Sequence, residues 1–370
     1  MATIEDVARS AGVSTASVSR ALSGARPVRS DTLHRVTAAA KELNYKVNPV
    51  ASALRGKVTR TVGMVVPDIH NPFFPEVVKA VEDALHQSGI GLFLCDANDS
   101  PEVEAERLAA LLARSVDGLI VSPVDAVKSR SAVAAAAKRV PLVQIDRQVN
   151  VESDMVLVDH RRGIQLVVDH LVEQGRSSFV FVTTAARSSI ATERLEAYVR
   201  CVKPVDRGSA SRVMAGDLSI AWGKEAAARL VAGHCPQAVI CANDLLAVGV
   251  LRTFRIEGVR VPEDVAVTGY DDSPFADVVE PRLTTIRQPL GALGQEAVRF
   301  IISAIESPGS PRRELRLLPE LIVRESSGQM GRRARAEVKD GKSSERTPRQ
   351  ARSSALLRGK KAAETRVAPG

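Results

Sequence analysis

The sequence predicts a small all-α helix-turn-helix domain followed by an α/β body of two lobes, each built on a doubly wound parallel sheet. From residue 61 onward, short apolar segments typical of buried strands alternate with amphipathic helical segments. This alternation occurs in two successive sets, which predicts two lobes with a cleft between them. Residues 3–43 instead hold three short helical patterns, which predict a separate helical head.

Charge is distributed unevenly along the 370 residues, whose formal net charge is +8. Residues 331–370 hold twelve Lys and Arg against four Asp and Glu, and residues 1–60 hold ten against four, so the remainder is mildly acidic. Basic ends favour a nucleic-acid contact at the ends of the chain rather than over the whole surface. The tail also has few large apolar residues, which predicts disorder, either with non-specific attraction to DNA or without a role.

The cysteines show neither a Cys-x-x-Cys pair nor a metal-ligand spacing with the histidines; they are Cys95, Cys201, Cys235 and Cys241. We therefore expect reduced thiols, no bound metal and no cofactor. No apolar run is long enough for a membrane helix, and no secretory leader is recognisable. These observations predict a cytoplasmic protein that does not associate with membranes.

The segment "TIEDVARSAGVSTASVSRALSG" predicts two short helices joined by a tight corner. Thr3 and Asp6 have the spacing of a capping box, and Gly12 stands where the corner needs a positive φ. Ser14 is expected to cap the second helix. A third helix is expected at about residues 31–43, opened by Ser30. Its inward-facing residues are predicted to be Leu33, Val36, Ala40 and Leu43.

The outward face of the second helix is unusual in being made of small residues and one arginine, namely Thr15, Ala16, Ser17, Ser19 and Arg20. Small side chains allow close approach to another molecule, and an arginine pairs bidentately with guanine. This face favours a helix that enters the major groove of DNA. The alternative is a purely structural three-helix bundle, which the same apolar spacing permits.

The predicted strands of the body are short apolar runs. Those of the first set are "TVGMVVP", "GLFLCD", "DGLIVSP" and "PLVQID", and those of the second set are "FVFVT", "AVICAN" and "DVAVTGY". All of them are predicted to be buried parallel strands. Helical patterns such as "EVVKAVEDALHQSG" and "QLVVDHLVEQG" lie between them. Ligands bind at the carboxyl ends of strands in such sheets, so the residues that follow each strand are candidates for a binding site.

Those candidates are polar or aromatic: Asn71, Phe73, Phe74, Asp146, Arg147, Asn243, Asp244, Asp271 and Asp272, joined by Arg194 and Gln288 from "TERLEAY" and "TTIRQP". Each alone is also compatible with a helix cap, a core position or a surface ion pair. Together, carboxylates, amides and guanidinium groups with flat apolar faces favour recognition of a polyhydroxylated ring.

Three segments, "TIEDVARSAGVSTASVSRALSG", "KELNYKVNPVASALRG" and "TVGMVVPDIHNPFF", resemble the lactose-repressor (LacI/GalR) family of bacterial transcription regulators in order and spacing. The resemblance runs from about residue 3 to about residue 327. It implies that Thr15, Ala16 and Arg20 read bases and that Ser14 and Ser19 contact phosphates. It also implies a homodimer on a pseudo-palindromic operator in double-stranded DNA, with the protein acting as a repressor.

The segment "NPVASALRG" is either a plain linker or, by the resemblance, a hinge helix that forms on DNA. Asn48 can cap it, and Leu54 matches the family's leucine that wedges into the minor groove. The family usually has proline at the position of Val47, whereas this chain has Pro49. The expected domains are a head at 1–47, a hinge at 48–58, an effector-binding and dimerisation body at 59–330, and a tail at 331–370.

The resemblance further implies an effector domain with the fold of periplasmic sugar-binding proteins. The implied ligand-contacting positions are Asn71, Phe73, Phe74, Asp146, Arg147, Arg194, Leu218, Asn243, Asp271 and Gln288. Leu218 stands where an aromatic ring often occurs. The expected effector is a monosaccharide such as a pentose, with a sugar phosphate, a nucleoside or a purine as alternatives.

An enzyme is the main rival class, because α/β folds often host catalysis. The sequence contains no glycine-rich nucleotide motif and no nucleophile elbow. Asp271 and Asp272 are adjacent, so their side chains point in opposite directions and do not flank a common bond. We therefore expect no catalytic residue. The helical head and the missing leader argue against a secreted sugar-binding protein.

Overall fold

The computed structural model describes residues 2–23, 28–45, 59–185, 187–205 and 212–328. Its head consists of helices α1 (Ile4–Ala11), α2 (Thr15–Ser23) and α3 (Ser30–Glu42). Val7, Val18 and Val36, one from each helix, are fully buried at the centre of a small core that alanines complete. This arrangement confirms the predicted helix-turn-helix.

The corner between α1 and α2 forms as its sequence predicts. Thr3 and Asp6 cap α1 reciprocally, and Gly12 adopts φ 61°, a left-handed conformation that glycine accepts without steric cost. Arg35 of α3 then donates from Nη2 to the carbonyl oxygens of Ala11 (2.7 Å) and Gly12 (3.1 Å). The arginine thus satisfies carbonyls at the end of α1 that have no partner within the helix.

Two expectations for α3 are wrong. Ser30 is its first helical residue rather than its cap, and the N-cap position is Arg29, whose side chain makes no capping bond. Leu33 is 41% exposed instead of facing inward. The buried face of α3 lies in its second half, at Val36, Ala39 and Ala40, so the first turn remains in solvent.

The first lobe holds a six-stranded parallel sheet in the order β11-β5-β4-β3-β1-β2. Its strands are β1 (Thr61–Val66), β2 (Gly91–Asp96), β3 (Gly118–Val121), β4 (Leu142–Ile145), β5 (Asp154–Val158) and β11 (Glu314–Leu317). Its helices are α4 (Phe73–Gln87), α5 (Pro101–Ala113), α6 (Arg130–Ala137) and α12 (Leu290–Glu306). Apolar clusters pack on both faces of this sheet.

The second lobe holds a four-stranded parallel sheet in the order β7-β6-β8-β9. Its strands are β6 (Phe179–Thr184), β7 (Arg212–Gly216), β8 (Ala238–Cys241) and β9 (Ala266–Thr268). Its helices are α7 (His160–Glu173), α8 (Ser189–Val202), α9 (Ile220–Ala232), α10 (Asp244–Ile256) and α11 (Phe275–Val278). A short antiparallel pair, β10 (Thr285–Arg287) with β12 (Glu320–Ile322), completes the body before a 3-10 turn at Glu325–Ser327.

Within the described residues the chain passes between the lobes three times, after β5, after β10 and after β11. The predicted two-lobed architecture with parallel sheets is confirmed. The segment "GLFLCD" forms the predicted strand β2, but it is not buried: Phe93 is 41% and Leu94 42% exposed. The reason is its position, since β2 is the edge strand of its sheet and pairs with β1 alone in the described part of the chain.

Among the helices of the described ranges, none combines the length with the apolar character that a membrane span requires.

Candidate functional site

The outward face of α2 presents the side chains predicted to meet DNA. Ser14 precedes the helix and accepts a hydrogen bond from Ser17 N at 3.2 Å, as a cap does. Thr15, Ala16 and Arg20 are exposed, while Ser19 is half-buried. Arg20 Nε donates to the Ala16 carbonyl at 3.2 Å, so the guanidinium lies along the exposed face of the helix.

Two further residues predicted to contact DNA, Asn48 and Leu54, lie outside the described residues, as does the basic tail.

The lobes enclose a cavity of about 490 Å³ at the carboxyl ends of their strands. All ten residues predicted to contact an effector line it: Asn71, Phe73, Phe74, Asp146, Arg147, Arg194, Leu218, Asn243, Asp271 and Gln288. A volume of this size lies within the range of small-molecule sites. The sheet topology brings these residues together, because strand ends from both lobes face the same gap.

One wall of the cavity is aromatic. Phe73 and Phe74 begin α4 directly after β1, and their rings meet edge to face with centroids 5.2 Å apart. The guanidinium carbon of Arg147 lies 5.4 Å from the centroid of the Phe74 ring. Both phenylalanines are almost completely buried, so only a small apolar part of each ring borders the cavity.

Asp146 lies on the same side of the cavity, where the Ser122 hydroxyl is near enough to lower its pKa but is not placed to make a hydrogen bond. Neither of its buried carboxylate oxygens accepts one from the described residues, and Arg147 Nε, 3.8 Å from Oδ2, is also without a hydrogen-bond partner there. Burial raises the pKa of Asp146 and lowers that of Arg147, although the opposite charge of each partner counteracts the shift. Unpaired buried polar atoms are costly, and they are concentrated where a ligand can bind.

The opposite side of the cavity is built around Arg194 and Asp271. Arg194 Nη2 lies 3.7 Å from Asp271 Oδ1, and Gln288 Nε2 donates to the same oxygen at 2.8 Å. Burial raises the pKa of Asp271 to about 8, because Arg194 and the Gln288 amide only partly offset the loss of hydration. This carboxyl therefore carries a proton during much of its time at neutral pH.

Asn71 and Asn243 have a local structural role as well as a place in the lining. Asn71 Oδ1 accepts from Phe73 N at 3.2 Å, and Asn243 Oδ1 accepts from Leu246 N at 3.0 Å, which caps α10. Each keeps its amide nitrogen for other partners. Leu218, the tenth residue, is 37% exposed and lies at the rim of the cavity.

Backbone strain coincides with the two buried carboxylates. Asp146 has φ 64° and Asp271 has φ 106°, conformations that side-chain-bearing residues rarely adopt. Such strain persists where the surrounding structure requires it, and functional sites are the commonest such places.

Sequence reasoning missed several polar residues of the lining: Asp68, Asp99, Thr183, Thr184, Arg187, Ser188 and Asp217. Most of them stand at or just after strands β1, β2, β6 and β7, so the rule that located the other residues also applies to them. Asp244, a sequence candidate, is not in the lining. It accepts from Ser273 N (2.7 Å) and Thr285 Oγ1 (2.7 Å) and so holds the loop after β9.

A possible metal-binding group in the described residues lies at the surface. Asp68, His70 and Asp96 bring ligand atoms within 4.8 Å of one another, but the His70 side chain is 82% exposed and already contacts Asp68 Oδ1 at 3.0 Å. We assign no metal to this group.

Comparison with known proteins agrees with this architecture. Residues 3–48 match the model of bacterial regulatory proteins of the lacI family, and residues 168–327 match the periplasmic binding protein-like domain. The chain is 32% identical over 329 residues to the HTH-type transcriptional repressor PurR of Mannheimia succiniciproducens, covering 88% of this chain and 98% of that protein.

Two solved structures extend the comparison. The lac repressor dimer bound to operator and an anti-inducer superposes with a TM-score of 0.80 at 28% identity, covering 89% of this chain and 99% of that one. A LacI family regulator from Enterococcus faecium with bound ribose superposes with a TM-score of 0.65 at 29% identity, covering 73% of this chain and 100% of that one.

A helix-turn-helix head joined to a two-lobed body of this kind defines a DNA-binding transcriptional repressor, and the relatives are repressors rather than enzymes, as the sequence predicts. The chain belongs to the lacI family of bacterial regulatory proteins.

Proposed function

We propose that the affinity of this repressor for its operator is set by an uncharged polyhydroxylated effector, a monosaccharide such as a pentose, bound in the cavity between the lobes. One observation carries the proposal: both oxygens of Asp146 are buried in the cavity wall without a hydrogen-bond donor from the described residues. Two neighbouring sugar hydroxyls supply the two donors that this carboxylate lacks.

The charge balance of the cavity supports an uncharged ligand. Its buried ionisable side chains are two carboxylates, Asp146 and Asp271, and two guanidinium groups, Arg147 and Arg194. The whole lining in the described residues holds five aspartates against three arginines, so carboxylates still outnumber guanidinium groups when Asp271 is protonated. A phosphate dianion needs an excess of positive charge, which this lining does not provide. The relative from Enterococcus faecium that holds ribose is consistent with a sugar.

A purine base is the second candidate. Phe73 and Phe74 give the cavity an aromatic border, and Asp271, whose pKa is about 8, can donate as well as accept a hydrogen bond. By the family resemblance, Leu218 in the lining stands where an aromatic ring often occurs, and a planar base depends on stacking more than a sugar does, so we rank the purine below the sugar.

On the DNA side, we propose that Thr15, Ala16 and Arg20 contact base edges in the major groove. Ser14 and Ser19 flank them and are assigned to phosphates. Asn48 and Leu54 are assigned to a hinge at residues 48–58, which joins a head at 1–47 to a body at 59–330. We assign no role to the tail at 331–370.

A homodimer fits the exposed apolar surface of the body. Phe93 and Leu94 on the edge strand β2 are each more than 40% exposed, and Ile256 and Val278 on the second lobe are 70% and 77% exposed. An edge strand that carries exposed apolar side chains is a surface on which a second copy of the chain can pack. The lac repressor relative is a dimer on its operator, and two copies of this chain would present two α2 helices to a pseudo-palindromic site.

Effector and operator are coupled only if the effector prefers one arrangement of the lobes. A tenfold preference corresponds to about 1.4 kcal/mol of coupling free energy. Closure of the lobes around a ligand would change the spacing of the two hinge segments in the dimer, which is the mechanical link we propose.

The test is calorimetric titration of the full chain with D-ribose, hypoxanthine and ribose 5-phosphate. Asp146→Asn is compared with Glu257→Gln, which removes one exposed carboxylate at the far end of α10. We expect D-ribose to bind the wild type and Glu257→Gln but not Asp146→Asn. Hypoxanthine binding alone would establish the second candidate, and ribose 5-phosphate binding alone would refute the uncharged effector.

A further inference from the structure

His160 and Tyr270, two of the residues that enclose Arg194, do not line the cavity. Its guanidinium carbon lies 3.6 Å from the centroid of the Tyr270 ring, and its Nη1 donates to the Ala242 carbonyl at 2.6 Å. Its Nε and Nη2 both approach His160 Nδ1 at 3.4 Å. The Tyr270 hydroxyl is 2.9 Å from the same nitrogen. His160 and Tyr270 are almost completely buried and form a floor beneath Arg194.

We infer that His160 and Tyr270 are positioning residues that fix the Arg194 guanidinium for the effector and connect it to the segment where the chain first crosses between the lobes. His160 is the first residue of α7 and follows β5 by two positions, so it belongs to that crossing. The inference rests on the proposed effector cavity, because Arg194 is the residue through which both would act.

The geometry requires a neutral imidazole with its proton on Nε2. Nδ1 faces N–H groups of Arg194, which can only donate, so Nδ1 accepts and the proton lies on Nε2, for which the described residues supply no acceptor. Burial lowers the pKa of His160 well below its usual value, and the nearby charges of Arg194 and Arg316 lower it further. Within the described residues, the charged and titratable groups that act on the ring are these two arginines, from α8 and β11, and Tyr270 after β9.

A neutral acceptor suits this position better than a carboxylate. A carboxylate at residue 160 would neutralise Arg194 and compete with the ligand for its N–H groups. The histidine instead orients Arg194 without adding a negative charge. Asp271, 3.7 Å from Arg194, remains the acidic partner of the arginine. The positive charge of Arg194 therefore remains available to the oxygen atoms of a ligand.

Close packing keeps the floor in place. Gly163, one turn after His160 on α7, faces the Tyr270 ring so closely that any side chain at residue 163 would collide with the phenol hydroxyl. The absence of a side chain at residue 163 thus lets Tyr270 pack closely against α7, and the contact with His160 links it to the same helix.

The experiment compares His160→Gln and Tyr270→Phe with His170→Gln in the full chain. His170 is a matched control because it is also buried on α7, but its Nε2 contacts Ser327 Oγ at 2.8 Å and it does not line the cavity. Nitrogen-15 spectra of the histidine rings report the tautomer, and spectra of the arginine side chains report how fast the Arg194 guanidinium rotates.

We expect His160 to stay neutral, with its proton on Nε2, at pH values where an exposed histidine is already charged. We also expect rotation of Arg194 to accelerate in His160→Gln and Tyr270→Phe but not in His170→Gln. D-ribose should bind about tenfold or more weakly to His160→Gln, with His170→Gln unchanged. A proton on Nδ1, or unchanged rotation of Arg194, would overturn the inference whatever the ligand is. Failure of D-ribose to bind even the wild type would count against the proposed effector alone, since the spectra decide the role of His160 independently.

Discussion

Arg187 Nη2 lies 3.0 Å from Asp99 Oδ2, and this ion pair joins the two lobes at the mouth of the cavity. Both side chains are at least half exposed, so the pair contributes about 0 to 1 kcal/mol. Two bonds from backbone N–H groups cross the same gap: Ala126 N donates to the Arg187 carbonyl at 2.8 Å, and Gln148 N donates to Ser189 Oγ at 3.0 Å. Lobe contact therefore depends more on these backbone donors than on the ion pair.

For this reason we expect Arg187→Gln to lower the free energy of unfolding by less than about 1 kcal/mol, with the difference disappearing in high salt. Denaturant titrations at low and high ionic strength measure it. Arg229→Gln, which breaks a pair within α9, is the control. A larger loss that persists in salt would show that the ion pair holds the lobes together.

Asp271 makes stability depend on pH. Its pKa of about 8 in the folded chain lies above that of an unfolded aspartate, so the folded state holds a proton that the unfolded state releases. The free energy of unfolding should fall as pH rises from about 4 to about 8, by at most about 1.4 kcal/mol per pH unit from this group. Asp271→Asn should flatten that decline, whereas Asp217→Asn, at the exposed rim, should not. Equal slopes in denaturant titrations of wild type and Asp271→Asn would contradict the shift.

Gly163 is required for the close approach of α7 to Tyr270. We expect Gly163→Ala to destabilise the chain by about 1 to 3 kcal/mol, because the added methyl group meets the phenol hydroxyl. Tyr270→Phe removes that hydroxyl, so the double variant should lose less than the sum of the single losses. A double-mutant cycle of thermal unfolding measures the difference. If the two losses of stability are strictly additive, the cost of Gly163→Ala does not arise from contact with the Tyr270 hydroxyl.

Arg20 is the one long basic side chain on the exposed face of α2. We expect Arg20→Ala to lose about 1 to 3 kcal/mol of discrimination at one base pair of each half-site, with D-ribose binding unchanged. Selection from a random pseudo-palindromic library identifies the operator, and gel-shift titrations of single base changes measure the discrimination. Arg229→Ala serves as the control, and retained discrimination in Arg20→Ala would assign base reading to other residues.

Much of the fold could be predicted because its signals are local. The helix-turn-helix corner follows from Thr3, Asp6 and Gly12, which lie within ten residues of one another. The buried parallel strands are apolar runs that any window of the sequence reveals. Three strands of the parallel sheets, β5, β7 and β11, are not among the predicted strands. β7 and β11 are half-exposed edge strands with polar residues, and β5 is a short buried strand that begins with an aspartate. The prediction that Leu33 faces inward is wrong because Leu33 has the spacing of the buried face, but that face covers only the second half of α3.

The cavity lining could also be predicted in large part, because strand ends in parallel sheets face one edge. That rule places Asn71, Asp146 and Asp271 in one cavity without knowledge of their distances. It does not reveal which polar groups satisfy one another. Asp244 follows β8 as closely as Asn243 does, yet it turns away and holds a loop.

By itself, then, the sequence determined the head, the two lobes and the identity of most side chains around the cavity, because periodicity and strand ends are local properties. Only the tertiary structure decided the partners of those side chains. The His160–Tyr270 contact joins residues 110 positions apart, and the Arg187–Asp99 bond joins residues 88 apart. Such pairs form when packed helices and sheets bring distant segments together, and no local pattern encodes which ones will meet.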